Sequence, residues 1–262
     1  MKRFPLAVLA FGYAFLYLPI ATVIAYSFNE SRLVTVWSGF STKWWSALFA
    51  NEAMIDAALL SLRIAFVNAC AATVLGTLAG IALARHPRFA GRSIFVALVI
   101  APLVMPEVIM GVSMLLLFVG LERHIGWPER GFATIAIAHI TFSMAYVAVV
   151  VQARLADFDR SLEEAAMDLG ARPFAVFRSI TLPLIAPALV SGWLLAFTLS
   201  LDDLILTQFV SGAASQTLPM AVYSSVRLGL NPQINVIATI VIAISTVGLV
   251  ASALLLRRKR RA

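Results

Sequence analysis

Four charged residues of this 262-residue chain lie inside long apolar runs: Arg63, Glu107, Asp202 and Asp203. An ionised side chain within hydrocarbon is costly, and it usually faces water, a charged partner or a ligand. Three acids against one arginine favour a cationic ligand in such a position. Arg63 lies about two turns from the end of its run, so we interpret it first as a structural residue whose guanidinium reaches the lipid headgroups, and a functional role is the alternative.

The adjacent acids Asp202 and Asp203 are predicted on one continuous helix, roughly 12 Å from its C-terminal end at 1.5 Å per residue. Neighbouring residues are about 100° apart on a helix, so at most one of the two carboxylates faces a pathway. Asp202 continues a polar line with Thr198, and Asp203 continues one with Thr207. The alternative is a pair hydrogen-bonded to a neighbouring span, which makes both acids structural.

Glu107 follows Pro102 and Pro106, each of which removes a helical hydrogen bond. The sequence therefore predicts a helix broken beside a cavity, where the acid either contacts a cation or caps the break. Trp193 and Phe197 are four residues apart, deeper in the same run as the two aspartates, and they suit an aromatic wall for a cation. Tight helix packing explains this aromatic pair equally well.

Residues that carry catalysis or bind metal do not occur in suitable groups. His86, His124 and His139 lack the paired spacing of a metal site, and the sequence has no serine elbow motif. We predict that His139 is a hydrogen-bonded group between helices. The single cysteine, Cys70, has no partner in the chain for a disulfide or a cysteine metal site.

The sequence also contains no G-x-x-x-x-G-K-[ST] phosphate loop. If ATP drives the function, ATP and Mg must therefore bind another polypeptide. We expect no cofactor, no metal and no catalytic residue in this chain.

The apolar sequence is interrupted by one long polar interval, SLEEAAMDLGARPFAVFRSITLP. It predicts a first helix that begins with a capping box between Ser161 and Glu164. Gly170 ends that helix. Pro173 begins a second short helix, which is predicted to end before the Leu-Pro pair at 182–183.

The first of these helices is amphipathic, with an apolar stripe at positions i, i+3, i+4 and i+7. The stripe consists of Leu162, Ala165, Ala166 and Leu169, and the opposite side carries Glu163, Glu164 and Asp168. Two short helices around a glycine suit insertion into the groove of a partner protein. A helix that lies on the membrane surface is the alternative.

The elements that position these residues are membrane spans. The chain is 61% hydrophobic and 13% charged, and its mean hydropathy is +0.93, so an ordinary soluble domain is excluded. Six apolar runs are long enough to cross a bilayer and predict one all-α membrane domain: 4–28, 57–84, 93–120, 132–152, 184–210 and 234–256. The first run is too long for a signal peptide and is predicted to be retained.

The distribution of basic residues predicts the orientation. The net charge is +7, but the basic residues lie in short loops and do not form one basic face, so we expect no nucleic-acid partner. Of the 20 Lys and Arg residues, 14 lie on the side of the two termini and five on the other. The positive-inside rule therefore places both termini and the 153–183 loop in the cytoplasm.

The polar interval also carries a spaced signature, E-A-A, three residues, G, nine residues, I-x-L-P, which begins at Glu164 and ends at Pro183. It resembles the cytoplasmic coupling loop of the membrane subunits of binding-protein-dependent ABC importers. The resemblance implies the type I importer permease fold and a loop that docks on an ATPase subunit. The residues that it assigns to coupling are Glu164, Ala165, Ala166, Asp168, Gly170, Ala171 and Phe174.

Further stretches resemble the polyamine branch of that family: FLYLPI, APLVMPEVIMG, FDRSLEEAAMDLGA, GWLLAFTLSLDD and TLPMAVYSSVRLGLNPQIN. The segment SRLVTVWSGFSTKWW resembles the putrescine-transporting members of Gram-negative bacteria most. The resemblance implies a bacterial inner-membrane protein, surrounded by lipid, that pairs with a second, unlike permease subunit. Two copies of an ABC ATPase and a periplasmic polyamine-binding protein complete the implied transporter.

The residues themselves leave the choice between putrescine and spermidine open, because the acidic residues do not show how many amine groups the cargo carries. Two other classes remain as alternatives. A stand-alone ion-driven carrier or channel needs no ATPase, and the spaced signature argues against it. An intramembrane hydrolase needs a reactive serine or paired metal ligands at one depth, which the sequence does not contain.

Overall fold

The computed structural model describes residues 3–33, 36–229, 231–244 and 246, and its regular structure within these ranges is helical apart from one isolated bridge between Asn29 and Phe40. The helices in chain order are α1 (Arg3–Tyr26), α2 (Lys43–Phe49), α3 (Glu52–Arg85), α4 (Arg92–Val104), α5 (Glu107–Ile125), α6 (Phe132–Ala156), α7 (Ser161–Asp168), α8 (Pro173–Val176), a π-helix (Phe177–Thr181), α9 (Leu182–Leu201), α10 (Ile205–Val210), α11 (Leu218–Leu228) and α12 (Gln233–Ile244). Within the described residues, five helical stretches are long and apolar enough to cross a membrane.

Two predicted spans are divided. The 93–120 run forms α4 and α5, and the predicted break beside Glu107 is confirmed because Pro106 forces Met105 into an extended conformation (ψ 137°). The 184–210 run forms α9 and α10, separated by residues 202–204. Our prediction of one continuous helix through Asp202 and Asp203 is therefore wrong.

The predicted helix end before residues 182–183 is also wrong. The π-helix follows α8 directly and continues into α9, whose first turn contains Pro183. Pro183 therefore lies inside a continuous helical stretch, and the wider π-helical turn directly before it accommodates the proline, which lacks the N–H of a regular α-helical hydrogen bond. The chain thus remains helical from Pro173 to Leu201.

The predicted sixth span, 234–256, is described only in part. Its first half forms α12, whereas residues 247–256 and the basic tail lie outside the described residues. The number of six spans and the location of the two termini stay predictions.

The chain divides into two compact units, of which the larger is Ala57–Met220. Its central element is α6, which packs against α9, α4 and α10. A helix that is apolar on every side is a buried helix, and α6 is apolar in this way, with twelve buried residues. The described core contains two large clusters and one small one. Ile64, Met110, Phe118, Ile135, Ala138, Phe142, Leu206 and Val210 form the first, Ala69, Ala72, Val147, Val151, Leu155, Ile185 and Ala196 form the second, and Leu83, Val99 and Ala148 form the small one.

The backbone of α3 approaches α6 closely at Gly76 and Gly80. A Cβ atom at Gly76 would lie 2.6 Å from Val147 Cβ and 2.7 Å from the Met144 carbonyl oxygen. A Cβ atom at Gly80 would lie 2.8 Å from the Ala148 carbonyl oxygen. Glycines four residues apart permit such contact between membrane helices, because packing of backbones replaces the hydrophobic effect in lipid.

The smaller unit comprises Met1–Asp56 and Ala221–Ala262. In it, the side chains of α1 from Pro5 onward are almost all exposed and apolar, as expected for a helix surrounded by lipid or a partner. The segment after α1 is ordered by Phe28, whose ring stacks with those of Phe40 and Trp45. Asn51 Nδ2 donates a hydrogen bond to Gln233 Oε1 (2.9 Å).

We predict that Gly76→Ala destabilises the protein by about 1–3 kcal/mol, because a methyl group overpacks the contact with α6. Gly120→Ala is the matched control, since it also lies within a helix and has no atom within 4 Å of the added Cβ. Thermal unfolding in detergent measures the difference. Equal melting temperatures for the two variants would contradict the close approach of α3 and α6.

Candidate functional site

Asp203 caps the helix that begins after the break in the fifth apolar run. Its Oδ1 accepts hydrogen bonds from the Thr207 backbone N–H and the Thr207 hydroxyl, both at 2.8 Å. A carboxylate that satisfies a first-turn N–H stabilises a helix start at that point. This explains why α10 begins as a new helix, and the Asp203 side chain is only 8% exposed.

His139 of α6 joins the same cluster. Its Nδ1 lies 2.7 Å from Ser200 Oγ, and its Nε2 lies 2.9 Å from Thr207 Oγ1 and 3.3 Å from Asp203 Oδ1. Three helices, α6, α9 and α10, thus meet through one buried imidazole. The prediction that His139 is a hydrogen-bonded group between helices is confirmed.

Asp202 has a different environment from Asp203. It ends α9, with its backbone N–H 3.3 Å from the Thr198 carbonyl oxygen, and its side chain is exposed on the larger unit. The structure therefore separates the two acids: Asp203 belongs to a hydrogen-bonded cluster, and Asp202 is available to solvent or a ligand.

The other charged residues of the apolar runs are exposed as well. Glu107 is the first residue of α5, where the positive end of the helix dipole favours a carboxylate. Arg63 is exposed on α3. Glu107 and Asp202 therefore share one property, because each is an exposed acid directly beside a break in an apolar run.

The predicted aromatic pair is present on α9. The rings of Trp193 and Phe197 stack at 5.3 Å, and Phe66 of α3 contacts Trp193 edge-on at 6.0 Å. The Trp193 indole N–H donates to Cys70 Sγ at 3.4 Å. The pair is half-buried, so it has both a packed and an accessible side.

Asn68 was not identified from the sequence. Its Nδ2 donates to Ser143 Oγ (3.1 Å) and to the Ala196 carbonyl oxygen (2.7 Å), and it links α3, α6 and α9. A single amide within an apolar run is the signal that points to such a residue.

Gly170 ends α7 in a Schellman motif. Its φ is +88°, its N–H donates to the Met167 carbonyl oxygen (2.9 Å), and the Ala171 N–H donates to the Ala166 carbonyl oxygen (3.0 Å). A side chain at this φ is strained, so glycine fits here for a local reason. The prediction that Gly170 ends the first helix is confirmed.

The capping box predicted at Ser161 and Glu164 is wrong. Ser161 is the first residue of α7. The N-cap residue is Arg160, and its side chain makes no capping hydrogen bond. Instead Asp159 Oδ1 accepts a hydrogen bond from the Ser161 backbone N–H (2.9 Å). The Ser161 backbone N–H, together with the Ser161 hydroxyl, lowers the pKa of Asp159 below its usual value.

Glu163 holds α7 to the rest of the larger unit. Its Oε1 lies 2.6 Å from Arg85 Nη2, at the last residue of α3, and accepts a hydrogen bond from the Thr181 hydroxyl. Arg160 Nη2 donates to the Ala84 carbonyl oxygen (3.0 Å). These partners are distant in sequence, so helical periodicity did not predict them.

The remaining surface of α7 and α8 is open. Leu169 and Phe174 are 90% and 75% exposed, and Leu162 and Met167 are exposed to nearly half. Of the residues assigned to coupling, Glu164, Ala165, Asp168, Gly170 and Phe174 are exposed, and Ala166 and Ala171 are half-buried. We call this exposed side of α7 and α8 the α7–α8 surface.

An all-helical, multi-pass membrane protein with an exposed pair of short helices between two spans has the architecture of an importer permease. The chain belongs to the family described as the inner-membrane component of binding-protein-dependent transport systems, whose model matches residues 76–261. Its all-α importer permease fold is thereby confirmed, and the family is one of membrane transport subunits.

Relatives cover nearly the whole chain. The "Putrescine transport system permease protein PotI" of Escherichia coli (strain K12) is 54% identical over 98% of this chain and 92% of its own length. The "Spermidine/putrescine transport system permease protein PotC" of the same strain is 41% identical over 95% and 92%. A solved bacterial ABC transporter involved in the import of the acidic polysaccharide alginate has the same fold, with a TM-score of 0.62, 18% identity, and 96% and 94% of the two chains covered.

We predict that Asp203→Ala lowers stability by about 1–3 kcal/mol, because the buried Thr207 N–H loses its side-chain acceptor and the Thr207 hydroxyl loses one of its partners. Asp202→Ala is the matched control, since it removes the adjacent, exposed carboxylate. Thermal unfolding of both variants in detergent provides the comparison. A larger loss for Asp202→Ala than for Asp203→Ala would refute the structural role of Asp203.

Proposed function

We propose that this chain is a permease subunit of an ATP-driven polyamine importer of the bacterial inner membrane, with putrescine as its main cargo. The α7–α8 surface is the observation that carries the proposal. It exposes Leu169 and Phe174 on a segment that Gly170 turns sharply and that Glu163 fixes to α3. An apolar, pre-ordered helical surface suits the groove of a protein partner.

The partner on this surface is an ABC ATPase, present as two copies that bind ATP and Mg. The sequence of this chain has no phosphate loop, so ATP hydrolysis belongs to another polypeptide. The residues that contact the ATPase are Glu164, Ala165, Ala166, Asp168, Gly170, Ala171 and Phe174. A second, unlike permease subunit completes the pathway, and a periplasmic polyamine-binding protein delivers the cargo.

The cargo follows from the relatives together with the charges. The 54% identical relative is named for putrescine, and the 41% identical relative is named for spermidine and putrescine. Both molecules are polyamines and carry positive charge at neutral pH. The exposed acids Glu107 and Asp202 have the sign that attracts such a cation.

The path of the cation passes Asp202 and Glu107, and the Trp193–Phe197 pair lines it. An aromatic face attracts a desolvated ammonium group, so the pair compensates part of the hydration that the cargo loses. Asp203 remains in its cluster with His139 and Thr207 and supports the break without contacting the cargo.

The transport cycle then follows from two linked movements. The loaded binding protein docks on the periplasmic side, and ATP closes the two ATPases. Their closure moves the α7–α8 surfaces of the two permeases, which opens the pathway toward the binding protein. The predicted orientation, with the 153–183 loop in the cytoplasm, places this surface where ATP is available.

Reconstitution tests the proposal. We predict that the chain, assembled with its candidate second permease and ATPase in proteoliposomes, hydrolyses ATP faster when putrescine-loaded binding protein is present. Spermidine-loaded binding protein and an unloaded control give the cargo preference. Complete absence of stimulation and of uptake, in an assembled complex, would contradict the proposed function.

Gly170→Leu tests the docking surface in the same assay, with Gly91→Leu as the matched control. Both glycines have positive φ, +88° and +81°, and neither has an atom within 4 Å of an added Cβ. The local strain is therefore similar, about 1–2 kcal/mol. We expect the Gly170 variant alone to lose ATPase copurification and uptake.

We further predict that Asp202→Asn lowers the uptake rate of putrescine roughly tenfold, the effect of losing about 1.4 kcal/mol of charge interaction with the cation. Asparagine keeps the shape and removes the charge, so recovery of the complex should be unchanged. Uptake rate and complex recovery are measured together. Normal uptake would remove Asp202 from the pathway.

A further inference from the structure

The side chain of Glu163 connects the α7–α8 surface to two long helices at once. Its Oε1 lies 2.6 Å from Arg85 Nη2, at the C-terminal end of α3. The same oxygen accepts a hydrogen bond from the hydroxyl of Thr181, in the last position of the π-helix that continues into α9. One carboxylate oxygen therefore contacts the ends of both α3 and α9.

We propose that Arg85, Glu163 and Thr181 form a joint that transmits displacement of α7 to α3 and α9. The inference rests on the proposed function, because it assumes that an ATPase moves α7. It assigns positioning roles to residues outside the set that the sequence signature links to the ATPase. We call these three residues the Glu163 joint.

The joint is sheltered enough to hold its geometry. The Arg85 and Glu163 side chains are each 16% exposed, and Thr181 is buried. Partial burial weakens the screening that makes most surface ion pairs ineffective. The charge-assisted contact of Arg85 with Glu163 is also short, which is typical of the stronger class of hydrogen bond.

Neighbouring contacts restrict movement of the joint. The Arg85 guanidinium lies 5.2 Å from the centre of the Phe158 ring, in the segment just before α7. Arg160 donates to the Ala84 carbonyl oxygen (3.0 Å), where the negative end of the α3 dipole favours a cation. The segment before α7 and the Glu163 side of α7 thus both contact the C-terminal end of α3.

Elsewhere α7 has few ties to the unit. Among the described residues, Glu163 provides the hydrogen bonds and the ion pair that join a side chain of α7 to α3 or to the π-helix. The flanking residues Leu162 and Glu164 are exposed. Besides the chain that continues through α8 and the contact of Arg160 with Ala84, the Glu163 joint is therefore the side-chain route by which a force on the outer side of α7 reaches α3 and α9.

Charge exchange tests the joint in the reconstituted complex. The variants are Arg85→Glu, Glu163→Arg and the double variant that carries both. The measured quantity is putrescine taken up per ATP hydrolysed, with copurification of the ATPase as a second readout. A role in folding alone changes recovery of the complex but leaves the uptake per ATP of the recovered complex unchanged.

We expect each single variant to lower uptake per ATP at least about fivefold, the lower range of measured coupling between sites. The double variant should recover most of that loss, because the pair interaction is restored with opposite polarity. Arg88→Glu is the matched control: it reverses a charge three residues further on, is exposed, and has no ion pair among the described residues. Its uptake per ATP should equal that of the wild type.

Thr181→Val gives a second, milder variant. It removes only the hydroxyl that donates to Glu163 and leaves the ion pair in place. We expect normal recovery of the complex and a lower uptake per ATP. This variant keeps the test informative if the single charge reversals fail to assemble.

Two outcomes would overturn the inference. Unchanged uptake per ATP in Thr181→Val and in the assembled charge reversals would show that force takes another route. A double variant that remains as impaired as the single variants would show that the two charges act separately. Failure of the wild-type complex to respond to putrescine-loaded binding protein, by contrast, contradicts the proposed function before any variant is compared.

Discussion

Hydrocarbon offers no hydrogen-bond partner to a backbone group, so a break in a membrane helix needs partners from the protein itself. Where α9 ends, the carboxylate of Asp203 satisfies the first turn of α10, and His139 joins the cluster from α6. At the N-terminal end of the fifth apolar run, a π-helix continues into the turn of α9 that contains Pro183. The break at residues 202–204 is therefore stabilised by specific side chains of three helices.

The sequence predicted the membrane class, the all-α fold and the existence of α7 and α8, because hydrophobic runs, Gly170 and Pro173 are local signals. It did not predict the break at residues 202–204, since the apolar composition continues across it and the deciding contact is a side-chain cap. The Glu163 joint was missed for another reason. Arg85 and Glu163 are 78 residues apart, and no helical period relates residues at that distance.

The two adjacent aspartates have the same side chain but different environments, because only one of them is buried. Asp203 is enclosed by Thr207 and His139, and its carboxylate accepts hydrogen bonds in the first turn of α10. Asp202 is exposed one residue earlier, where α9 terminates. The same division applies to α7, where the inward Glu163 is paired and the next residue, Glu164, is open. In both pairs one acid is held by hydrogen bonds or an ion pair, and its immediate neighbour in sequence is exposed.

The glycine contact between α3 and α6 has a mechanical consequence. Because the backbones touch at Gly76 and Gly80, the two helices cannot slide or roll past each other without collision. Of the two, α3 alone has 34 residues, which is about 51 Å at 1.5 Å per residue. A displacement of α3 near its Arg85 end is therefore passed to α6 by direct contact at Gly76 and Gly80, and no flexible side chain lies between the two backbones to absorb it.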